Sequence, residues 1–168
     1  MENGIGSQSL PPVYDINSKV LLLGTLPSKS SIQKGFYYSN PNNRFWLVIS
    51  RLYEEPLPQT VSEKHRFLIN HNIALWDIIR NCNIRGSADK TIDNTSIMKN
   101  DLSEIFEKAK IIKVFALGRK AERIYNSSAF ASLTGQALYL PSTSPANTRF
   151  SSEELIKCFH SICQYTDQ

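Results

Sequence analysis

The run Lys19-Val20-Leu21-Leu22-Leu23 is almost wholly apolar and stops at Gly24. A short run of this kind reads as a strand covered on both faces. Such a strand needs helices above and below it. The pattern returns in Ile73-Ala74-Leu75-Trp76, in Ile111 to Leu117 before Gly118, and in Ala137-Leu138-Tyr139-Leu140. Helical spacing separates these runs. Phe45, Trp46, Val48, Ile49, Leu52 and Tyr53 share one side of a helical projection, which Pro56 and Pro58 end. Residues 60–70, Asp101 to Lys108, and a stretch through Ala121, Ile124 and Tyr125 also read as helices. The last helix opens on a capping box, Ser151-x-x-Glu154, and carries Leu155, Ile156, Phe159, Ile162 and Cys163 at helical spacing. Strands alternating with helices predict an α/β fold with a mostly parallel sheet and helices on both faces. Residues 80–96, with Asn81, Asn83, Gly86, Ser87, Asp89, Asp93 and Asn94, read as a loop.

The length, 168 residues, suits one domain over 18–168, after a flexible leader over 1–17 rich in Gly, Ser, Pro and Asn. Hydrophobic residues at 41% suffice for a core, and charged residues at 20% are too few and mixed for a disordered chain. The net charge of +4 fits a phosphate-binding face without requiring one. Cys82, Cys158 and Cys163 are odd in number and lack C-x-x-C spacing, which speaks against a disulfide framework and a zinc or iron–sulfur site. Buried, reduced thiols are expected. His65, His71 and His160 show no metal-ligand spacing, and packed or solvated roles are expected for them. No apolar run has the length of a membrane span, and no signal peptide is read at the start. The expectation is a soluble, cytoplasmic monomer with no metal and no cofactor.

In a parallel sheet, ligands bind beyond the carboxyl ends of the strands. Two such segments stand out. One is Gly24-Thr25-Leu26-Pro27-Ser28, leading into Gly35-Phe36-Tyr37-Tyr38-Ser39-Asn40-Pro41-Asn42-Asn43-Arg44-Phe45-Trp46. The other is Leu140-Pro141-Ser142-Thr143-Ser144-Pro145-Ala146-Asn147. Phe36, Tyr37 and Tyr38 either cap the core or wall a site for a flat ligand such as an extrahelical base. Asn40, Asn42 and Asn43 serve a turn and a helix start, or one of them holds a water or a base edge. Asn is too weak to act as a general base; it can only aim a water. Pro141, Ser142, Thr143, Ser144 and Pro145 form an ordinary proline turn or a hydroxyl-rich loop that grips phosphates. Asp77, directly after the second strand, either caps a helix, the favoured reading, or orients water.

Together these segments resemble the hypoxanthine-DNA glycosylases. This branch of the uracil-DNA glycosylase superfamily lies near the mismatch-specific uracil glycosylases. The similarity runs from about Lys19 to Phe159. It also takes in Ile73-Ala74-Leu75-Trp76-Asp77 and Ala116-Leu117-Gly118-Arg119-Lys120-Ala121. The resemblance implies a three-layer α/β/α sandwich with a four-stranded parallel sheet. It further implies double-stranded DNA containing a deaminated base as the partner, base flipping, and glycosidic cleavage without a cofactor. Gly24, Thr25, Leu26, Pro27 and Ser28 would form the base pocket with Tyr38, which stacks on the base. The loop from Pro141 to Pro145 would enter the minor groove.

Two departures carry information. Mismatch-specific relatives have Gly-Ile-Asn-Pro in the first motif, where the Asn positions water; here that place is Leu26. The hypoxanthine branch shares this loss and uses the Asn of Asn-Arg-Phe-Trp, which is Asn43. Uracil-specific relatives open the second motif with His or Asn; here it is Leu140. The place of their intercalating Leu falls near Ser144. Both changes speak against efficient uracil removal and leave purine removal open; with no Lys marked as a Schiff-base nucleophile, the expected activity is that of a monofunctional enzyme that removes hypoxanthine. Backbone N–H groups around 24–28 would stabilise the leaving base. Three alternatives remain: a uracil or xanthine glycosylase acting on mismatches, a DNA-binding module of the same fold without catalysis, and an unrelated α/β small-molecule enzyme.

Overall fold

The computed structural model describes residues 9–83 and 92–167. Its centre is a four-stranded parallel sheet in the order β2-β1-β5-β6. The strands are β1 (Val20–Gly24), β2 (Ile73–Asp77), β5 (Lys113–Leu117) and β6 (Leu138–Leu140). A two-stranded antiparallel pair, β3 (Ile79–Asn81) with β4 (Met98–Lys99), stands apart from it. The helices are α1 (Lys29–Lys34), α2 (Phe45–Leu52), α3 (Val61–Asn70), α4 (Ser103–Lys108), α5 (Arg119–Asn126), α6 (Ala131–Thr134), α7 (Ser152–Phe159) and α8 (Cys163–Thr166).

Alternation along the strands explains the three layers. Side chains of successive strand residues point to opposite faces. Val20 and Leu22, with Ile73, Leu75, Phe115 and Leu117, join one core with residues of α2, α3 and α7. Leu21 and Leu23, with Ala74, Val114 and Ala116, join a second core with residues of α4 and α5. All of β1 is buried, as its uninterrupted apolar run requires. The expected α/β/α sandwich is the fold observed. The caps of α3 and α7 are full capping boxes, Thr60 with Glu63 and Ser151 with Glu154.

Three expectations need correction, and one helix was not foreseen. The leader was expected to be flexible, and residues 1–8 lie outside the described residues. Residues 9–17 are docked, however. Val13 is buried and exchanges backbone hydrogen bonds with Leu75, and both Tyr37 and Trp76 donate to the Leu10 carbonyl. The outer edge of β2 otherwise exposes unpaired backbone, and this segment satisfies it. The polar stretch after β1 contains a short helix, α1, capped by the Ser28 side chain and ended by Gly35 in the left-handed region. The loop over 80–96 is partly structured, through β3 and a 3₁₀ turn at Asn94–Ser96. Gly86, Ser87 and Asp89 lie outside the described residues. Of the thiols, Cys82 is buried, but Cys158 and Cys163 are only half-buried.

If Val13 pins the leader, Val13→Ala should cost about 2 kcal/mol, from two lost methyl groups and the space they leave. A urea titration that shows an unchanged midpoint would mean the segment contributes nothing to stability.

Candidate functional site

The parallel register places Gly24 directly beside Asp77 at the carboxyl edge of the sheet. Asp77 is buried at 3% exposure and caps no described helix, so the favoured capping role is overturned. Its backbone carbonyl accepts from Asn100 Nδ2 at 2.8 Å. Gly24 leaves room for two groups at once. A Cβ there would run into Asp77 Oδ1 and lie 2.8 Å from the Tyr38 hydroxyl. A carboxylate and a phenol thus converge on the backbone of the first motif. The place of Asp77 beside the first motif follows from its position at the end of a buried strand.

The rest of the first motif is laid out as a backbone surface. Gly24 and Thr25 turn their carbonyls toward Ile78 and Ile79, whose N–H groups donate to them. Among the described residues, no hydrogen bond is made by the N–H groups of Leu26 and Ser28. Thr25 and Pro27 are buried, Leu26 is half-buried, and Ser28 is exposed as the cap of α1.

The aromatic loop is fixed from below. Phe36 and Tyr37 are buried in the core, which is the core-capping alternative. The Tyr37 hydroxyl donates to the carbonyls of Leu10 and Pro11. Burial pushes its phenol far above the ordinary value, and the nearby charges of Asp77 and Tyr38 add to this. Trp46 Nε1 donates to the Tyr37 carbonyl, and Lys34 and Ser30 both donate to the Ser39 carbonyl. Tyr38 differs from its neighbours. It is half-buried, has φ of 52°, and stacks on Phe45 with ring centroids 4.1 Å apart. A non-glycine residue held in the left-handed region is strained, and its surroundings must enforce that conformation.

Asn43 sits at the start of α2. Its Oδ1 accepts from the Phe45 N–H at 2.9 Å and from the Thr143 hydroxyl at 2.9 Å. Asn40 forms the preceding turn, with Oδ1 accepting from the Asn42 N–H and its carbonyl from the Asn43 N–H. The Asn43 oxygen therefore already serves two donors, where the resemblance implied that it aims a water.

The second motif is bound to the first. The Arg44 N–H donates to the Thr143 carbonyl at 3.1 Å. The Arg44 guanidinium donates to the carbonyls of Asn147, at 2.7 Å, and Phe150. Asn147 closes a turn on Ser144 and donates from its amide to the Ser142 carbonyl. Pro145 and Ala146 are exposed at the tip of that turn, and Ser142 and Ser144 are half-buried. Pro141 and Thr143 are buried. Thr143 spends its hydroxyl on Asn43.

A hollow of about 860 Å³ lies at the other end of the sheet, lined by Ile16, Lys19, Asn72, Lys110 and Leu133. It is far from the two motifs and gathers none of their groups.

Gly24→Ala should destabilise the fold by about 1–3 kcal/mol, because the added methyl displaces the carboxylate or the phenol. Thermal unfolding checks this; a wild-type midpoint would show that the site has slack.

Comparison with known proteins gives the family. Residues 11–163 match the family model described as the uracil DNA glycosylase superfamily. A Methanosarcina acetivorans protein named hypoxanthine DNA glycosylase is 36% identical over 146 residues, covering 86% of this chain and 90% of that one. A Methanosarcina barkeri protein of the same name is 32% identical over 120 residues, covering 70% and 74%. A solution NMR structure of a provisionally assigned uracil DNA glycosylase from Methanosarcina acetivorans aligns with a TM-score of 0.77 at 32% identity. The alignment covers 94% of this chain and 99% of that one. With a family match across most of its length and the motifs gathered at one sheet edge, the chain belongs to the uracil DNA glycosylase superfamily.

Proposed function

We propose that this chain is a monofunctional DNA glycosylase that hydrolyses the N-glycosidic bond of hypoxanthine in double-stranded DNA, acting as a monomer in base excision repair. The observation that carries the reading is the meeting, at one sheet edge, of a backbone surface, an aromatic ring and an oriented amide. These are Gly24 to Ser28, Tyr38 and Asn43. The name and 36% identity of the Methanosarcina acetivorans relative support the choice of base.

The chemistry follows from what the bond needs. When the C1′–N bond breaks, positive charge develops on the sugar and negative charge on the base. The N–H groups of Leu26 and Ser28 are suited to meet the negative charge, because no hydrogen bond among the described residues uses them. Tyr38 has one ring face on Phe45 and offers the other to the base. The carboxylate of Asp77 accepts a hydrogen bond from the base's N–H edge or from water. Asn43 is the catalytic amide. The loop of Pro141, Ser142, Thr143, Ser144 and Pro145 would meet the DNA backbone or groove, a role supported by the turn that Arg44 braces. No nucleophilic Lys is assigned, so the product is an abasic site with both strands intact.

Duplexes containing deoxyinosine, deoxyuridine or deoxyxanthosine, treated with alkali after incubation, test the reading. Deoxyinosine should be cleaved fastest, and only after alkali; preference for uracil would overturn the assignment of the base. Asn43→Ala should slow single-turnover base release roughly 100-fold or more with little change in DNA affinity. A rate near wild type would remove Asn43 from the catalytic group. Affinity for DNA should fall as salt rises, through counterion release. A flat response would argue against a phosphate-tracking face.

A further inference from the structure

We propose that Asn43 acts through its NH2 group, as a hydrogen-bond donor to the departing base, and that Thr143 is the positioning residue that takes the second lone pair of the amide oxygen and holds the group in place. The inference rests on the glycosylase reading above.

An amide oxygen has two lone pairs. In Asn43 both are taken, by the Phe45 N–H and the Thr143 hydroxyl, each at 2.9 Å. The amide cannot be turned over. A backbone N–H is a donor only, so a flipped amide would set NH2 against the Phe45 N–H. Thr143 is itself held firmly. It is 1% exposed, and its carbonyl accepts from the Arg44 N–H. By contrast, Asn43 Nδ2 makes no hydrogen bond among the described residues, and Asn43 is half-buried. Asn43 also adjoins the aromatic wall, because Phe45, which it caps, carries the Tyr38 ring. The end of the amide left for a ligand is therefore the donor end.

That end matches one reactant and not the other. A water activated by Asn43 as its proton acceptor would have to donate to Oδ1, where no lone pair remains, and a water held by Nδ2 would be gripped through its own oxygen, which lowers its nucleophilicity. A departing purine carries acceptor atoms on its ring nitrogens and its carbonyl oxygen. As C1′–N breaks, both electrons leave with the base, and its acceptors become more negative. A donor fixed beside them gains strength in the transition state, which is what accelerates the step. The water oxygen then bonds to C1′, and the proton it releases neutralises the base anion, directly or through solvent.

Asn43→Asp separates the two roles. The carboxylate keeps an acceptor for Phe45 and Thr143 but replaces the NH2 donor with a second acceptor. Its charge at the start of α2 is favourable to the helix, so the variant should fold. Single-turnover release from a deoxyinosine duplex is measured, with DNA affinity and circular dichroism alongside. If Asn43 is a donor, Asn43→Asp should be as slow as Asn43→Ala, roughly 100-fold or more below wild type. A rate within about tenfold of wild type would overturn the donor role, since one lost donor costs more than that. Thr143→Val should slow release by about tenfold or more at unchanged affinity, as expected for a displaced catalytic group. Thr143→Ser should restore the rate, and Thr143→Val should add nothing in an Asn43→Ala background. Full speed in Thr143→Val, or equal slowing in the Asn43→Ala background, would overturn the positioning role. If Thr143→Val does not fold, a Thr143→Ser variant at wild-type speed supports the role and a slow, folded one overturns it. If the wild-type chain released no base from any of the three duplexes, the glycosylase reading itself would fall, a result distinct from an active Asn43→Asp.

Discussion

The register in which β1 lies beside β2 governs the rest of the site. It pairs Gly24 with Asp77, and the absent side chain at 24 is what lets the carboxylate and the Tyr38 hydroxyl share that space. Burial of β1 on both faces fixes this register. Moving the strand by one residue would exchange Val20 and Leu22 with Leu21 and Leu23 between two different cores. The packing of four aliphatic side chains thus determines where a buried acid meets the backbone surface at the end of the strand.

The site is polar at its contact atoms and apolar in its support. Tyr37, Phe45 and Trp46 supply the buried mass beneath it, and their rings contact one another or their neighbours at 4.1–6.0 Å between centroids. Tyr37 contributes a hydroxyl that ties the leader segment to this mass. The left-handed backbone of Tyr38 is held against the same surface. A site whose support is packed in this way has little ordering left to do when a ligand arrives.

The sheet and most helices were legible because they rest on local pattern. Four apolar runs gave four strands, and Ser151 with Glu154 marked the last helix. The first motif and the Asn43 region were legible through resemblance and through their place after β1. Contacts formed at long range were not. Thr143 reads in sequence as one more hydroxyl in a proline loop, because its partner Asn43 is 100 positions away. Asp77 read as a cap because its neighbours across the sheet come from Gly24 and Tyr38, not from its own segment. The helix α1 was hidden by its short, polar composition, which carries no apolar stripe; its ends are set by Ser28 and Gly35 instead.

The planar fork of Arg44 grips two carbonyls of the loop that follows β6, while its own backbone grips a third. An ammonium group could satisfy one of these acceptors but could not hold two in a fixed plane. Neutral drift at this position would therefore leave a chain that folds and binds yet no longer holds the tip of the loop in a single pose. The kinetic sign of such a lineage would be a uniform decline, because loop poses that interchange in nanoseconds to microseconds average over every turnover and lower the rate by the time spent outside the competent pose.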